Sequence, residues 1–146
     1  MWRLLLGFLF LSSTAVAKSN SEATIVGSPY LGVPNTTVSI EFNGNICVLK
    51  SLGNVELQRF SIVLTCNATE QLLWSENLSD YEVDDPRFEL LWAGDNDGDG
   101  KLDLKMEVSP KYSCSQIAYF NSSLADVGKL VGKLVGSGIF EKIACG

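Results

Sequence analysis

The fold of this chain is decided by one stretch in its second half, Phe88-Glu-Leu-Leu-Trp-Ala-Gly-Asp-Asn-Asp-Gly-Asp-Gly-Lys-Leu-Asp-Leu-Lys-Met-Glu-Val108. On both sides of its centre, apolar residues alternate with other residues at the period of a β-strand. The side chains predicted to share one buried face are Phe88, Leu90, Trp92, Leu102, Leu104 and Met106. The stretch therefore predicts two strands joined by a polar loop.

The loop at the centre of this stretch carries four carboxylates. Asp95, Asp97, Asp99 and Asp103 occupy positions 1, 3, 5 and 9 of the loop. At a separation of about 4 Å, each pair of such charges repels by about 1 kcal/mol even in water, and by more where the loop is partly buried. A hard cation reverses this cost, and Ca²⁺ takes about 6–8 oxygen ligands in flexible geometry. We therefore predict that the loop binds Ca²⁺.

The predicted ligands are the four aspartate side chains and the backbone carbonyl of Lys101, at position 7 of the loop. Gly98 and Gly100 permit the tight turn that brings the carboxylates together. Asp103 is expected to point away from the buried face, towards the loop. Calcium held by several carboxylates without a neighbouring base is usually structural, so no catalytic residue is predicted here. The competing interpretation is a solvated acidic turn that holds no metal.

The EF-hand is the first calcium-binding loop to compare. Its twelfth position carries a bidentate Glu, and a helix flanks each side of the loop. Here the twelfth position is Met106, and both flanks have the period of strands. The sequence therefore excludes a helix–loop–helix site.

A second type of calcium loop fits better. Residues 95–103 match the core D-x-D-x-D-G-x-x-D and so resemble the FG-GAP/VCBS type of repeat. The resemblance implies that Asp95, Asp97, Asp99, Lys101 and Asp103 hold calcium in a β-hairpin loop. That family usually repeats the unit around a β-propeller, whereas this chain has one copy and is too short for typically 4–8 four-stranded blades. The whole chain looks similar to a small secreted bacterial protein that carries one such loop.

The first residues have the pattern of a secretory signal peptide. Arg3 supplies the positive charge, residues 4–11 form an apolar run, and Ala15-Val16-Ala17 is an A-x-A cleavage site. The run is too short for a membrane span of about 20 residues. We expect residues 1–17 to be removed and residues 18–146 to form a single secreted or periplasmic domain without a membrane span.

The chain contains four cysteines, Cys47, Cys66, Cys114 and Cys145. An even number behind a signal peptide predicts two disulfides, for which three connectivities are open. The preferred connectivity pairs Cys47 with Cys66 and Cys114 with Cys145. A zinc site is disfavoured because the chain has neither a CxxC pair nor a histidine.

The remaining segments predict further strands. Residues 38–42 alternate in hydrophobicity, and Asn43-Gly44 then supplies a type I′ hairpin turn that places Cys47 opposite Ile40. Another strand is predicted for residues 55–66, with a bulge near Arg59 where the alternation slips.

Two segments are less regular. Residues 67–85 are polar and acidic and predict a loop or a short edge element. Residues 128–135 repeat Gly-Lys-Leu-Val and are compatible with an amphipathic helical turn, although each glycine costs about 1 kcal/mol in a helix. Frequent turns and β-branched residues together predict a mainly β fold, a small antiparallel β-sandwich-like domain with two disulfides.

Charge and composition narrow the function. A formal net charge of −6 argues against nucleic acid and against an anionic membrane surface as partners. The absence of histidine removes the usual Ser-His-Asp and Cys-His arrangements. We predict a binding or interaction module for a protein or glycan partner. The alternative is a small extracellular glycan hydrolase, with calcium ordering the site and Asp84-Asp85 paired with Glu82 or Glu89 as the carboxylates.

Aromatic residues supply another candidate surface, a sugar-stacking platform that draws on Trp74, Trp92, Tyr81 and Tyr30. Strand parity assigns Trp92 to the core, so Trp74 is the residue with a predicted surface role. Four N-glycosylation sequons begin at Asn35, Asn67, Asn77 and Asn121, and they indicate exposed turns.

Overall fold

The computed structural model describes residues 21–54, 56, 58–77 and 86–134, together with the backbone of residues 144–145. The strands are β1 (Thr24–Val26), β2 (Thr37–Phe42), β3 (Asn45–Asn54), β4 (Arg59–Cys66), β5 (Thr69–Asn77), β6 (Arg87–Gly94), β7 (Asp103–Ser109), β8 (Cys114–Ser115), β9 (Ile117–Asn121), β10 (Gly132–Lys133) and β11 (Ala144–Cys145). A 3-10 turn covers Ser122–Leu124. Within these residues, no helix has the length and apolar character needed to cross a membrane. The predicted signal peptide at residues 1–17 lies outside the described residues.

Two antiparallel sheets enclose one core. One has five strands in the order β1-β2-β3-β4-β5, and the other has four in the order β10-β9-β7-β6. Phe60 on β4 and Phe88 on β6 stack across the core with ring centroids 4.8 Å apart. The mainly β, two-sheet part of the prediction is therefore confirmed, because both sheets bury one apolar face against the other.

The segment before β2 holds the two sheets together. Residues 24–26 pair with β2 in the five-stranded sheet. Just before them, the N–H of Ala23 donates to the carbonyl of Ala93 on β6, at 2.9 Å. Further along, the carbonyl of Pro29 accepts a hydrogen bond from Leu90, also at 2.9 Å. This segment thus satisfies backbone groups along the edge of β6 that would otherwise be unpaired.

The predicted hairpin at Asn43-Gly44 is confirmed. Both residues have positive φ, 48° and 76°, as a type I′ turn requires, and Cys47 lies directly opposite Ile40. Cys47 also lies opposite Cys66 on β4, and the two form a disulfide. The first of the two expected disulfides is therefore confirmed.

The second expected disulfide, Cys114 with Cys145, is not shown by the structure. The backbones of these two residues lie opposite each other in the β8–β11 pair. Cys114 is buried, and none of the described cysteines is free. The side chain of Cys145 lies outside the described residues, so this pairing stays a prediction.

The predicted loop after Cys66 is largely a strand. β5 covers Thr69–Asn77 and forms one edge of the five-stranded sheet. The turn before it consists of Asn67 and Ala68, both at positive φ, 47° and 59°. Alanine rarely adopts a positive φ, and hairpin turns of this kind usually carry Asn-Gly. The sequence Asn67-Ala68 therefore does not indicate a hairpin. The start of the preceding strand also differs from the prediction, because β4 begins at Arg59, where a bulge was expected.

The Gly-Lys-Leu-Val repeat forms no helix in its described part, residues 128–134. Gly128 lies in a turn at φ +81°, and residues 132–133 form β10. Gln71 on β5 holds this segment: its Oε1 accepts hydrogen bonds from the N–H groups of Leu130 and Val131, at 2.7 and 3.1 Å, and its Nε2 donates to the carbonyl of Val131 at 2.7 Å. The side-chain amide therefore links the edge of one sheet to the other sheet.

The predicted core position of Trp92 is wrong. Leu90 pairs with Met106, but the next pairs are Trp92 with Lys105 and Ala93 with Leu104. One extra residue at position 91 forms a β-bulge, which reverses the alternation of side chains along the strand. Ala93 takes the core position, while Trp92 lies half-buried on the outward face. Of the predicted buried face, Phe88, Leu90, Leu104 and Met106 are buried, and Leu102 is half-buried.

Candidate metal centre

The acidic loop connects β6 to β7 at one end of the four-stranded sheet. Its flanks are antiparallel strands whose last pair is Gly94 with Asp103. The exclusion of a helix–loop–helix site is therefore confirmed. The loop is anchored at its first residue, because the N–H of Asp95 donates to the carbonyl of Ser21 at 2.8 Å.

Asp95 organises the inside of the loop. Its side chain is 4% exposed, and its two oxygens accept three backbone hydrogen bonds. Oδ1 receives the N–H groups of Gly98 at 2.5 Å and Asp99 at 3.0 Å, and Oδ2 receives that of Gly100 at 2.8 Å. Both glycines have positive φ, 76° and 80°, which few other residues adopt at low cost. The loop is therefore wound around one carboxylate.

Asp97 and Asp99 complete a cluster with Asp95. One carboxylate oxygen from each of the three residues lies within 4.8 Å of the other two. Asp97 and Asp99 are exposed, and each also accepts one backbone hydrogen bond within the loop, from the N–H groups of Asp99 at 3.2 Å and Lys101 at 2.8 Å. These bonds hold the side chains facing one point rather than splayed into solvent.

Asp103 lies outside that cluster, and both of its carboxylate oxygens accept hydrogen bonds from the protein. It is 1% exposed. Its Oδ2 accepts the N–H of Asn96 at 2.8 Å, and its Oδ1 accepts both the N–H and the hydroxyl of Ser122, at 2.7 and 2.9 Å. Asp103 therefore ties the start of the loop to the 3-10 turn that follows β9.

Two residues that the sequence did not single out for this site support it. The hydroxyl of Ser122 lies 2.9 Å from Oδ2 of Asp99 as well as from Oδ1 of Asp103. The side-chain amide of Asn43 donates to the carbonyl of Gly100 at 3.1 Å. Both residues are far from the loop in sequence, so no local pattern indicates these contacts.

The donor set fits a hard cation. Carboxylate oxygens suit Ca²⁺, Mg²⁺ or Mn²⁺ and disfavour metals that prefer nitrogen or sulfur. A carboxylate has about four acceptor positions, so Asp95 retains capacity for a metal beside its three hydrogen bonds. Three negative groups this close repel one another, and a divalent ion at their centre converts that repulsion into attraction. The geometry therefore allows a metal site at Asp95, Asp97 and Asp99.

A cleft of about 450 Å³ adjoins the outer side of the loop. The tips of the β2–β3 and β4–β5 hairpins line this cleft, together with residues 100–102 and residues from the segment 122–131. The side chain of Lys101 is exposed at this rim.

Of the carboxylates assigned to the alternative hydrolase site, the structure describes Glu89. Glu89 is half-buried opposite Glu107, whose buried carboxylate accepts hydrogen bonds from the hydroxyl of Ser115, at 2.8 Å, and from the N–H of Gln116. The remaining carboxylates of the alternative hydrolase site, Glu82, Asp84 and Asp85, lie outside the described residues, as does Tyr81.

Trp74, for which a surface binding role was predicted, contacts Glu76 and Lys133 of the same chain. Its indole N–H donates to Oε2 of Glu76 at 3.2 Å. The Lys133 Nζ lies 3.9 Å from the centroid of the ring and covers one face. Burial lowers the pKa of Lys133, although the Glu76 carboxylate acts in the opposite direction. Trp74 is therefore part of a contact between the two sheets.

Comparison of the chain with protein-family models, with curated proteins and with solved structures finds no match. The resemblance to the FG-GAP/VCBS type of loop consequently depends on residues 95–103 alone, where the structure does place three of the aspartates together.

Proposed function

We propose that this chain is a secreted or periplasmic β domain that binds Ca²⁺ in the loop of residues 95–103 and acts as a binding or interaction module. The observation that carries the proposal is the convergence of the Asp95, Asp97 and Asp99 carboxylates within 4.8 Å, on a loop already wound by its own hydrogen bonds. A loop that is ordered in this way loses little conformational entropy when an ion binds.

Further ligands complete the proposed shell. The carbonyl of Lys101 and the carboxylate of Asp103 occupy the positions that the loop pattern assigns to ligands. Asp103 has one acceptor position left beside its three hydrogen bonds. Water supplies the remaining oxygens. The ion has a structural role here, because it ties the carboxylates of the loop together and the chain contains no histidine to act as a neighbouring base.

Titration calorimetry of residues 18–146 with CaCl₂ tests the metal. We expect one Ca²⁺ per chain, with a Kd of roughly 10⁻⁴–10⁻³ M, as in other extracellular modules. At a calcium concentration about ten times Kd, binding should raise the free energy of unfolding by about 1.4 kcal/mol. The variant Asp97→Ala/Asp99→Ala should lose both effects, because it removes two of the three clustered carboxylates. Both side chains are exposed, so we expect the variant to fold.

The matched control is Asp126→Ala, which removes an exposed carboxylate outside the loop. It should bind Ca²⁺ like the unaltered protein. Equal heats from the double variant and the control would contradict the proposal. MgCl₂ should bind more weakly, because Mg²⁺ demands near-octahedral geometry and gives up its water reluctantly.

Secretion is supported by the Cys47–Cys66 disulfide, because such bonds persist in oxidising compartments. The proposal includes a second disulfide between Cys114 and Cys145, whose backbones face each other in the β8–β11 pair. Mass spectrometry of the non-reduced, protease-digested protein should show a peptide pair linked through these residues. Alkylation of both as free thiols would contradict it.

A further inference from the structure

A row of three side chains crosses the outward face of the four-stranded sheet. Trp92 on β6 pairs with Lys105 on β7, and Lys105 pairs with Tyr119 on β9. All three side chains are half-buried rather than enclosed. Neighbouring strands lie about 4.8 Å apart, so the two aromatic residues stand about 10 Å apart with a cation between them.

The bulge at position 91 and a glycine place Trp92 in this row. The bulge turns the indole away from the core. A Cβ at position 94 would lie only 2.7 Å from Cζ2 of the indole and 2.9 Å from Cη2, so the ring lies directly against the backbone of Gly94. Gly94 in turn pairs with Asp103, the last residue of the metal loop. The row therefore begins beside the proposed calcium site.

The polar atoms of this row are not used by the described part of the protein. No hydrogen bond among the described residues engages the indole N–H of Trp92 or the hydroxyl of Tyr119. The Nζ of Lys105 lies loosely over the Tyr119 ring, 5.5 Å from its centroid. Trp74 and Tyr30 differ from these residues because their polar atoms are used. The indole N–H of Trp74 donates to Glu76, and the hydroxyl of Tyr30 donates to the carbonyl of Pro86 at 3.0 Å.

Two aromatic rings with unused polar atoms, placed two strands apart on one face of the sheet, match the chemistry of a sugar chain. A pyranose ring has a face of C–H groups that packs on an aromatic ring, and hydroxyl groups at its edge that pair with N–H, O–H and ammonium groups. A nucleic acid would also stack, but its phosphates need several cations, whereas this row has one lysine and the chain is acidic. A membrane surface likewise requires a basic, more apolar face.

We propose that Trp92, Lys105 and Tyr119 form a glycan-binding site that takes an oligosaccharide long enough to cover both rings. The inference deepens the proposed binding role by naming the class of ligand. It does not require calcium, although an ordered loop beside Gly94 would steady one end of the site.

Retention of residues 18–146 on insoluble polysaccharides tests the site, with cellulose, chitin and xylan as neutral probes and peptidoglycan and alginate gel as acidic ones. We expect retention on at least one of the five. Soluble oligosaccharides of the retained polymer should then bind the Trp92→Ala and Tyr119→Ala variants at least about tenfold more weakly. Tyr112→Ala is the matched control, since Tyr112 is exposed but lies outside the row.

The variants should keep a cooperative thermal transition, which shows that they fold, although Trp92→Ala should lower its midpoint by removing the ring that packs against Gly94. Trp92→Phe provides a second check, because it preserves a stacking ring and should retain more affinity than Trp92→Ala. Absence of retention on every polymer would overturn the proposal, as would binding that depends on Lys105 but not on either aromatic residue. The two proposals fail separately: absence of a calcium heat in EDTA-free buffer, with glycan binding intact, refutes the metal site alone, whereas a calcium heat without retention on any polymer refutes the glycan site alone.

Discussion

Replacing Asp103 with alanine is expected to lower the free energy of unfolding by about 3 kcal/mol even in the absence of calcium. The Asp103 carboxylate is buried and accepts three hydrogen bonds, one from Asn96 and two from Ser122. The substitution leaves the N–H groups of Asn96 and Ser122 without these acceptors, and Ser122 is buried, whereas the Ser122 hydroxyl keeps Oδ2 of Asp99 at 2.9 Å. Urea denaturation in EDTA measures the effect without any contribution from metal.

Two comparison variants separate the roles of the loop aspartates. Asp97→Ala removes an exposed side chain and should change stability in EDTA by no more than about 0.5 kcal/mol, while it weakens calcium binding. Asp103→Asn keeps one oxygen acceptor and should lie between Asp103→Ala and the unaltered protein. If Asp103→Ala destabilised the protein only in calcium, Asp103 would be primarily a metal ligand and its structural role would be wrong.

Removal of the Cys47–Cys66 disulfide should have a similarly large effect. The variant Cys47→Ala/Cys66→Ala is expected to unfold with about 3 kcal/mol less free energy, because the bond restricts the unfolded chain over a sequence separation of 19 residues. Both cysteines are buried, so the two alanines also leave a void at the end of the core. Thermal and urea unfolding with and without reductant measure the loss.

Reductant supplies the control for that experiment. It should destabilise the unaltered protein by breaking both the Cys47–Cys66 bond and the proposed Cys114–Cys145 bond, and it should destabilise the double alanine variant less, because only the second bond remains there. An equal response of the two proteins would place the stabilisation elsewhere, in the proposed Cys114–Cys145 bond. The calcium affinity of the double variant should be unchanged, because neither cysteine belongs to the proposed ligand set.

The two predictions concern the disulfide and the acidic loop, which line the same cleft. The disulfide joins β3 to β4 beside the cleft, and the acidic loop forms the facing wall of that cleft. Asn43, at the tip of the β2–β3 hairpin, donates to the carbonyl of Gly100 and so connects the two walls. Calcium binding should therefore reduce hydrogen exchange not only in the loop but also at this hairpin tip.

Local patterns in the sequence determined much of this protein. The alternation around residues 95–103 predicted the strands on both sides of the loop, because side chains of a strand alternate without reference to the rest of the fold. Asn43-Gly44 predicted both a hairpin and the position of Cys47 opposite Ile40, since a two-residue turn determines the register of the strands that follow it. The spacing of the aspartates likewise predicted that Asp95, Asp97 and Asp99 lie together, although Asp103, which was predicted with them, is outside that cluster.

The tertiary structure alone decided the features that depend on a partner strand or a distant segment. The bulge at position 91 moved Trp92 from the core to the outward face, and it is a property of the pairing with β7 rather than of β6 by itself. The length of β5 and the linkage through Gln71 depend on neighbouring strands that no local period describes. Asp103 is buried, and its carboxylate accepts hydrogen bonds from Ser122, which lies 19 residues away in the sequence. The position of a carboxylate in a sequence pattern indicates which groups it can bind. Which donors it contacts depends on the folded structure around it.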